Sequence, residues 1–149
     1  MRTPPEAPPA IELADISCTV DAACDAISRS CGLGIVFNFR DENQRLTFSS
    51  SRHHVSSALA AEAWAIREAL LLATERGCEE IQVLSYCLSI VNSLQSQNSL
   101  NEIYAIVSDI RRLTISFSSF SIAHIPRTLN TVADSVAKET LRTLLNDVL

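Results

Sequence analysis

This chain has no pair of cysteines at Cys-x-x-Cys spacing and no histidine and cysteine cluster at zinc-finger spacing, which excludes the usual structural zinc motifs. It has no apolar run of the roughly 18 residues that suggest a membrane-spanning helix. Its first residues lack the apolar core of a secretory signal peptide. We therefore expect an intracellular protein, in the nucleus or cytoplasm, that has no membrane partner.

Lysine is almost absent as well. Lys138 is the only lysine, and the other basic residues are arginines, in a chain whose net charge is −5. An acidic chain is poorly suited to strong non-specific binding of nucleic acid, which needs clustered cations, although arginine forms bidentate contacts with phosphate. The five cysteines are an odd number, and we expect them to be free thiols, largely buried, in a reducing compartment.

Proline is concentrated at one end of the chain. Four of the five prolines lie within residues 1–10, which predicts a disordered proline-rich leader over residues 1–12. Such a leader is typical of a linker to an upstream domain or protein partner. The 149 residues, of which 47% are hydrophobic, are enough for one domain with a core. We place that domain at residues 13–149.

Hydrophobic periodicity predicts an α/β domain. Apolar residues at 59, 63, 66, 70 and 73 follow the spacing of one buried helix stripe, and Gly77 ends that helix. The order of elements is β-β-β-α-β-α-α-β-α, which predicts a five-stranded mixed sheet, a three-strand antiparallel meander plus two parallel strands, flanked by helices. Strands are predicted at residues 16–21, 33–39, 45–50, 81–84 and 115–125, and helices at 58–76, 88–94, 102–113 and 129–148, with a loop at 22–30 and a turn at 98–101.

Three carboxylates lie beside the apolar faces of these elements. Asp21 ends the first strand, Glu62 is the only charge within residues 59–66, and Asp134 lies near the start of the last helix. Charges beside apolar faces cost free energy unless they are compensated. Carboxylates brought together raise each other's pKa unless a cation neutralises them. The pattern favours a divalent metal site, although each residue alone also fits a turn, a helix-dipole or a capping role.

Three stretches carry a family resemblance. They are CTVDAA at residues 18–23, followed by residues 32–36; AEA at 61–63 with REAL at 67–70; and HIPRTLNTVADSVAK at 124–138. Together they resemble the ribonuclease H fold. The closest likeness is the plant ribonuclease H-like domain of retroelement-derived reverse transcriptases and stand-alone plant proteins. The resemblance covers about residues 16–147.

The resemblance implies nucleic-acid binding and Mg²⁺-dependent endonucleolytic hydrolysis of the RNA strand of RNA/DNA hybrids, with four carboxylates around two ions. Asp21 would bridge the ions, Glu62 would hold one and Asp134 the other, with Mn²⁺ as an alternative metal. His124 would assist proton transfer or product release, unless it is simply bonded locally at the end of a strand. Two further residues would contact the phosphate backbone, unless they serve the surface alone: Arg127 and Asn130.

The fourth carboxylate position departs from the family pattern. Tyr86 stands where the resemblance implies an aspartate, just after the fourth strand. A phenol with a pKa of about 10 stays neutral near pH 7 and is a poor Mg²⁺ ligand. Three interpretations stay open. The domain is an inactive module that binds nucleic acid or a protein, with the metal weakly bound or absent; it is weakly active, with water or Ser85 filling the gap; or Tyr86 is misassigned to this position.

Overall fold

A computed structural model describes residues 16–40, 44–96 and 103–146. The predicted leader at residues 1–12 and the predicted turn at 98–101 lie outside them. The described residues form five strands and four helices, in the predicted order, with a short 3-10 turn at Arg127–Leu129. The elements are β1 (Ile16–Cys24), β2 (Cys31–Phe39), β3 (Arg45–Arg52), α1 (Ala58–Glu75), β4 (Glu80–Ser85), α2 (Leu88–Gln95), α3 (Tyr104–Thr114), β5 (Ser119–His124) and α4 (Thr131–Asn146).

The strands form one mixed sheet in the order β3-β2-β1-β4-β5. The first three strands pair antiparallel, β1 with β2 and β2 with β3. The last two pair parallel, β4 with β1 and β5 with β4. This arrangement confirms the predicted meander followed by two parallel strands, flanked by helices.

One face of the sheet is covered by α1, which in turn packs against α3. The helix begins at Ser57, whose hydroxyl accepts a hydrogen bond from the Ala60 amide, and it ends just before Gly77, whose φ of +75° favours glycine. Its buried side is rich in alanine, so the helix backbone lies close to the strands. None of the helices in the described ranges has the length and apolarity needed to cross a membrane.

The other face is covered by α4, which lies directly on two glycines of β2. A Cβ added to Gly34 would overlap the carbonyl oxygen of Ala133, and one added to Gly32 would overlap that of Ala137. Both alanines are fully buried. Because side chains alternate along a strand, the glycines face α4 while Leu33 between them joins the core on the α1 side. Only glycine permits so close a contact between helix and sheet.

The hairpin between β1 and β2 differs from the prediction. We expected β1 to end at Asp21, but pairing with β2 continues to Cys24, which lies opposite Cys31. Their Cα atoms are 4.1 Å apart and the two residues form a disulfide. The expectation of free thiols throughout is therefore wrong for this pair, because strand register brings them together. The remaining cysteines are free: Cys18, Cys78 and Cys87.

Two further elements begin later in the sequence than predicted. We expected the last strand to begin at residue 115, but β5 begins at Ser119, the residue that pairs with the first residue of β4. Ile115 is 81% exposed, at the end of α3. We expected the last helix to begin at residue 129, but Leu129 is 67% exposed in the 3-10 turn. In both places an apolar residue extended the pattern without being buried.

The contact of α4 with β2 makes a prediction about Gly34. Replacing it with alanine forces α4 away from the sheet, and overpacking of this kind costs about 1–3 kcal/mol of the free energy of unfolding. Urea denaturation measures the loss. Gly77→Asn is the matched control, because a Cβ added at Gly77 would meet no atom within 4 Å and asparagine tolerates its positive φ. A Gly34→Ala protein as stable as the Gly77→Asn protein would contradict the close packing described.

Candidate active site

The three predicted carboxylates come together where β1, α1 and α4 meet. Asp21 lies opposite Gly34 in the β1–β2 register, and α4 rests on that glycine through Ala133, so the next residue, Asp134, lies beside Asp21. Glu62 reaches the same place from the buried side of α1. The site lies on the central strand of the sheet, beside the carboxyl end of β4, an edge at which open α/β sheets commonly bind ligands.

A single backbone amide joins two of these carboxylates. The Ala22 N–H donates to Asp21 Oδ1 at 2.8 Å and to Glu62 Oε1 at 3.0 Å. Asp21 is 2% exposed and Glu62 is 5% exposed. Glu62 Oε2 is buried without a hydrogen-bond partner. Two carboxyl groups are therefore held together away from water, where their negative charges are expensive unless a proton or a cation compensates them.

Asp134 lies nearer to solvent, in the first turn of α4. Its Oδ2 atom is 3.0 Å from Lys138 Nζ, and its side chain is 37% exposed. Asp134 also interacts with Asp21 through a side-chain hydrogen bond. In the sequence, Lys138 stands out only as the sole lysine. Its spacing of four residues from Asp134 on a helix is the signal that predicts this ion pair.

The pKa values of the three carboxyl groups are separated by their surroundings. Burial, and then the adjacent Asp21, raise the pKa of Glu62 from 4.5 to about 9. Burial likewise raises the pKa of Asp21. Partial desolvation raises the pKa of Asp134, but the hydrogen bonds and charge of Lys138 and its other neighbours outweigh that effect and lower the pKa overall. Glu62 thus keeps its proton near neutral pH when no other cation is present.

Tyr86 lies at the site, as its sequence position predicted. Its hydroxyl donates to Glu62 Oε1 at 3.4 Å, and the Arg127 guanidinium lies over its ring at 4.9 Å from the centroid. Burial, and then the charges of Glu62 and Asp21, raise the pKa of Tyr86 above its ordinary value, so the phenol stays neutral. These contacts place Tyr86 beside the carboxylates, where the family pattern has an aspartate.

Ser85 does not take the place of the expected aspartate. Its side chain is fully buried, and its hydroxyl accepts a hydrogen bond from the Cys87 amide at 3.0 Å. Side chains alternate along β4, so Ser85 and Leu84 lie on opposite faces of the sheet. Leu84 is the register partner of Thr19, so the side chains of Leu84 and Thr19 lie on the same face. Ser85 therefore points to the other face and closes the turn after β4.

The predicted substrate residues fall into two groups. His124 ends β5 and is exposed, with its Nε2 atom 3.0 Å from the carbonyl oxygen of Tyr86. Arg127 is also exposed. Asn130 is 1% exposed, and its Nδ2 donates to the Val20 carbonyl at 3.0 Å. Asn130 therefore anchors the start of α4 to β1, which differs from the phosphate contact predicted for it.

The donor set fits a divalent cation. Carboxylate oxygens are the ligands that Mg²⁺ prefers, and the unpartnered Glu62 Oε2 is a buried acceptor that a cation would satisfy. Within residues 16–40, 44–96 and 103–146, no group of three or more His, Cys, Asp or Glu side chains is placed so that it could hold a metal ion as it stands. Asp21 and Glu62 instead interact with each other and with their own donors.

The raised pKa of Glu62 makes a prediction about stability. A carboxyl group that holds its proton more tightly when folded lowers stability as pH rises from its unfolded pKa to its folded pKa. The window here runs from 4.5 to about 9. We expect Glu62→Gln, measured by urea denaturation in EDTA, to be more stable than the unmodified protein at about pH 8 and nearly equal at about pH 5.

At about pH 8 the expected gain in the free energy of unfolding is about 1.4 kcal/mol for each unit between the unfolded pKa of Glu62 and its folded pKa, counted up to the pH of the measurement. Glu68→Gln, on a half-exposed position of the same helix, is the matched control and is expected to change stability little. Equal gains at both pH values, or a loss at about pH 8, would show that Glu62 is ionised in the folded protein.

Comparisons with known proteins agree with this architecture. Residues 19–140 match a family model described as reverse transcriptase-like. Ribonuclease H1 from Halobacterium salinarum has a similar structure, with a TM-score of 0.79, 21% identity, and coverage of 86% of this chain and 98% of that one. LC11 ribonuclease H1, isolated from compost and solved in complex with an RNA/DNA hybrid, gives a TM-score of 0.78 and 20% identity, covering 87% of this chain and 99% of that one.

A third similar structure is the protease-reverse transcriptase of a foamy virus, also in complex with an RNA/DNA hybrid. It has a TM-score of 0.67 and 19% identity, and the match covers 94% of this chain but 21% of that one. No curated protein sequence matches this chain significantly. The structural matches show the fold, and the family model covers most of the sequence. The chain therefore belongs to the reverse transcriptase-like family, and its domain has the ribonuclease H fold.

Proposed function

We propose that this domain binds RNA/DNA hybrids and hydrolyses their RNA strand slowly, in a reaction that depends on a divalent metal. The observation that carries the proposal is the convergence of Asp21, Glu62 and Asp134, with an unpartnered oxygen on the buried carboxyl group of Glu62. The ribonuclease H1 with a similar structure that was solved with an RNA/DNA hybrid supports this choice of substrate.

The three carboxylates would hold the metal, Mg²⁺ or Mn²⁺. When bound, the metal lowers the pKa of an attacking water and stabilises the leaving oxygen of the phosphodiester. Asp21 orients its carboxylate through the Ala22 amide, which also fixes Glu62. Asp134 brings its charge from the solvent side. The protein thus presents oxygen ligands in a pocket that excludes water on the α1 side.

Two exposed residues complete the proposed site. His124 lies beside the carbonyl of Tyr86, and its proposed role is to assist proton transfer or product release. Arg127 can release its guanidinium from the Tyr86 ring to a phosphate, with which it forms bidentate hydrogen bonds. Tyr86 itself supplies a neutral hydroxyl where a further charge would bind metal, and this is why we propose a slow reaction.

A module that binds without cleaving is the second candidate function. The observation in its favour is the hydrogen bond from the Tyr86 hydroxyl to Glu62, which satisfies a catalytic carboxylate with a neutral partner. In this form the domain would bind nucleic acid or a protein partner. In either form we propose an intracellular location, which rests on the composition, and an origin among plant retroelement-type domains, which rests on the sequence motifs.

A cleavage assay on a labelled RNA/DNA hybrid separates the two candidates. With Mg²⁺ or Mn²⁺ we expect slow cleavage by the unmodified protein and none by Asp21→Asn, because that change removes the central ligand. Tyr86→Asp is expected to raise the rate about tenfold or more, equivalent to about 1.4 kcal/mol of transition-state stabilisation. Tyr86→Phe, the matched control, removes only the hydroxyl and is expected to give no such increase.

The outcomes are read together with binding of the same hybrid in EDTA, followed by fluorescence anisotropy. Binding without cleavage above the Asp21→Asn level, under either metal, supports the non-cleaving module. Failure to bind the hybrid contradicts hybrid cleavage, and leaves of the second candidate only the binding of another nucleic acid or of a protein partner. If Tyr86→Asp cleaves the hybrid at the same rate as the unmodified protein, Tyr86 is not what limits the rate.

A further inference from the structure

We infer that this site takes one divalent ion rather than two, held by one oxygen from each of Asp21, Glu62 and Asp134, and that Tyr86 closes the position of a second ion. The inference deepens the proposed function and rests on it for the identity of the ligand. It concerns the capacity of the site, which the family resemblance alone would set at two ions.

The first argument is a count of carboxylate oxygens. The Ala22 amide engages Asp21 Oδ1 and Glu62 Oε1, and Lys138 engages Asp134 Oδ2. Each of the three carboxylates therefore has one oxygen that these two donors leave available, and a bound ion would replace the hydrogen bonds that the three carboxyl groups make with one another. Three oxygen ligands suit one Mg²⁺ ion, which normally keeps several of its waters. They are too few to hold two adjacent dications.

The second argument is the position of Tyr86. Its hydroxyl donates to the same Glu62 oxygen that already accepts from Ala22, so Glu62 Oε1 has two donors and only Oε2 is unpartnered. A second ion would have to break the hydrogen bond from Tyr86 to use Oε1. The aromatic ring brings no charge in return, since a phenol is a poor ligand for a hard cation.

Positive charge near Tyr86 also disfavours a second ion. The Arg127 guanidinium, 4.9 Å from the centre of the Tyr86 ring, places a permanent positive charge on the Tyr86 side of the site. A dication near this cation is repelled in the free protein, before Arg127 turns to a phosphate of the hybrid. Lys138 on the other side is less of an obstacle, because its pair with Asp134 is solvent-exposed, and exposed pairs contribute about 0–1 kcal/mol. One ion can therefore enter from the Asp134 side.

Counting bound Mn²⁺ tests this inference. The electron paramagnetic resonance signal of free Mn²⁺ gives the number of ions bound per protein, with and without a hybrid whose RNA strand is 2′-O-methylated to prevent cleavage. Ions bound by the hybrid alone are subtracted. We expect one ion for the unmodified protein in both conditions and one for Tyr86→Phe. We expect two for Tyr86→Asp, which adds a fourth carboxylate, and at least about tenfold weaker binding for Asp21→Asn.

Two ions on the unmodified protein would overturn the inference, as would no bound ion. A single ion of unchanged affinity on Tyr86→Asp would show that Tyr86 does not close a second position. Circular dichroism melting identifies a variant that fails to fold, and the count on the unmodified protein then decides alone. Hybrid binding in EDTA is measured in parallel: two ions with intact hybrid binding reject only the inference, whereas one ion without hybrid binding rejects only the proposed function.

Discussion

One amide group determines the character of this site. The Ala22 N–H donates to both Asp21 and Glu62, and so holds two carboxyl groups side by side where almost no water reaches them. Such a pair cannot carry two full negative charges without compensation. The protein compensates with a proton on Glu62, whose pKa rises to about 9. A divalent cation that replaces this proton compensates the same negative charges, and the proposed chemistry depends on that replacement.

The frame that maintains the pair is built from small residues. Two glycines on β2 allow α4 to contact the sheet through its backbone, which places Asp134 beside Asp21, and alanines on α1 bring Glu62 equally close. Asn130 fixes the start of α4 by a hydrogen bond to β1. Packing of this kind leaves the carboxylates little freedom to separate. The free-energy cost of burying these carboxylates is therefore offset by packing in the rest of the core, as is common at functional sites.

Much of this could be predicted from the sequence, because the signals were periodic. The apolar stripe of α1 and the order of strands and helices were sufficient for the fold, and the positions of three carboxylates were sufficient for the site. The failures in the β1–β2 hairpin and at Asn130 share a cause, since each depends on pairing between segments that no local pattern encodes. The Cys24–Cys31 disulfide and the extended β1 needed the β1–β2 register. The buried role of Asn130 needed the contact with Val20, which is 110 residues away. Tyr86 was recognised as an anomaly, but only its contacts show that it engages Glu62.

The most direct measurement of the central claim is a crystal structure of this protein grown with Mn²⁺, in which anomalous scattering locates the metal independently of the protein atoms. The account predicts an anomalous peak in direct contact with the Asp21 carboxylate, with Glu62 and Asp134 among the other ligands. Asp21, Glu62 and Asp134 on separate surfaces, or Mn²⁺ bound only elsewhere on the molecule, would contradict it.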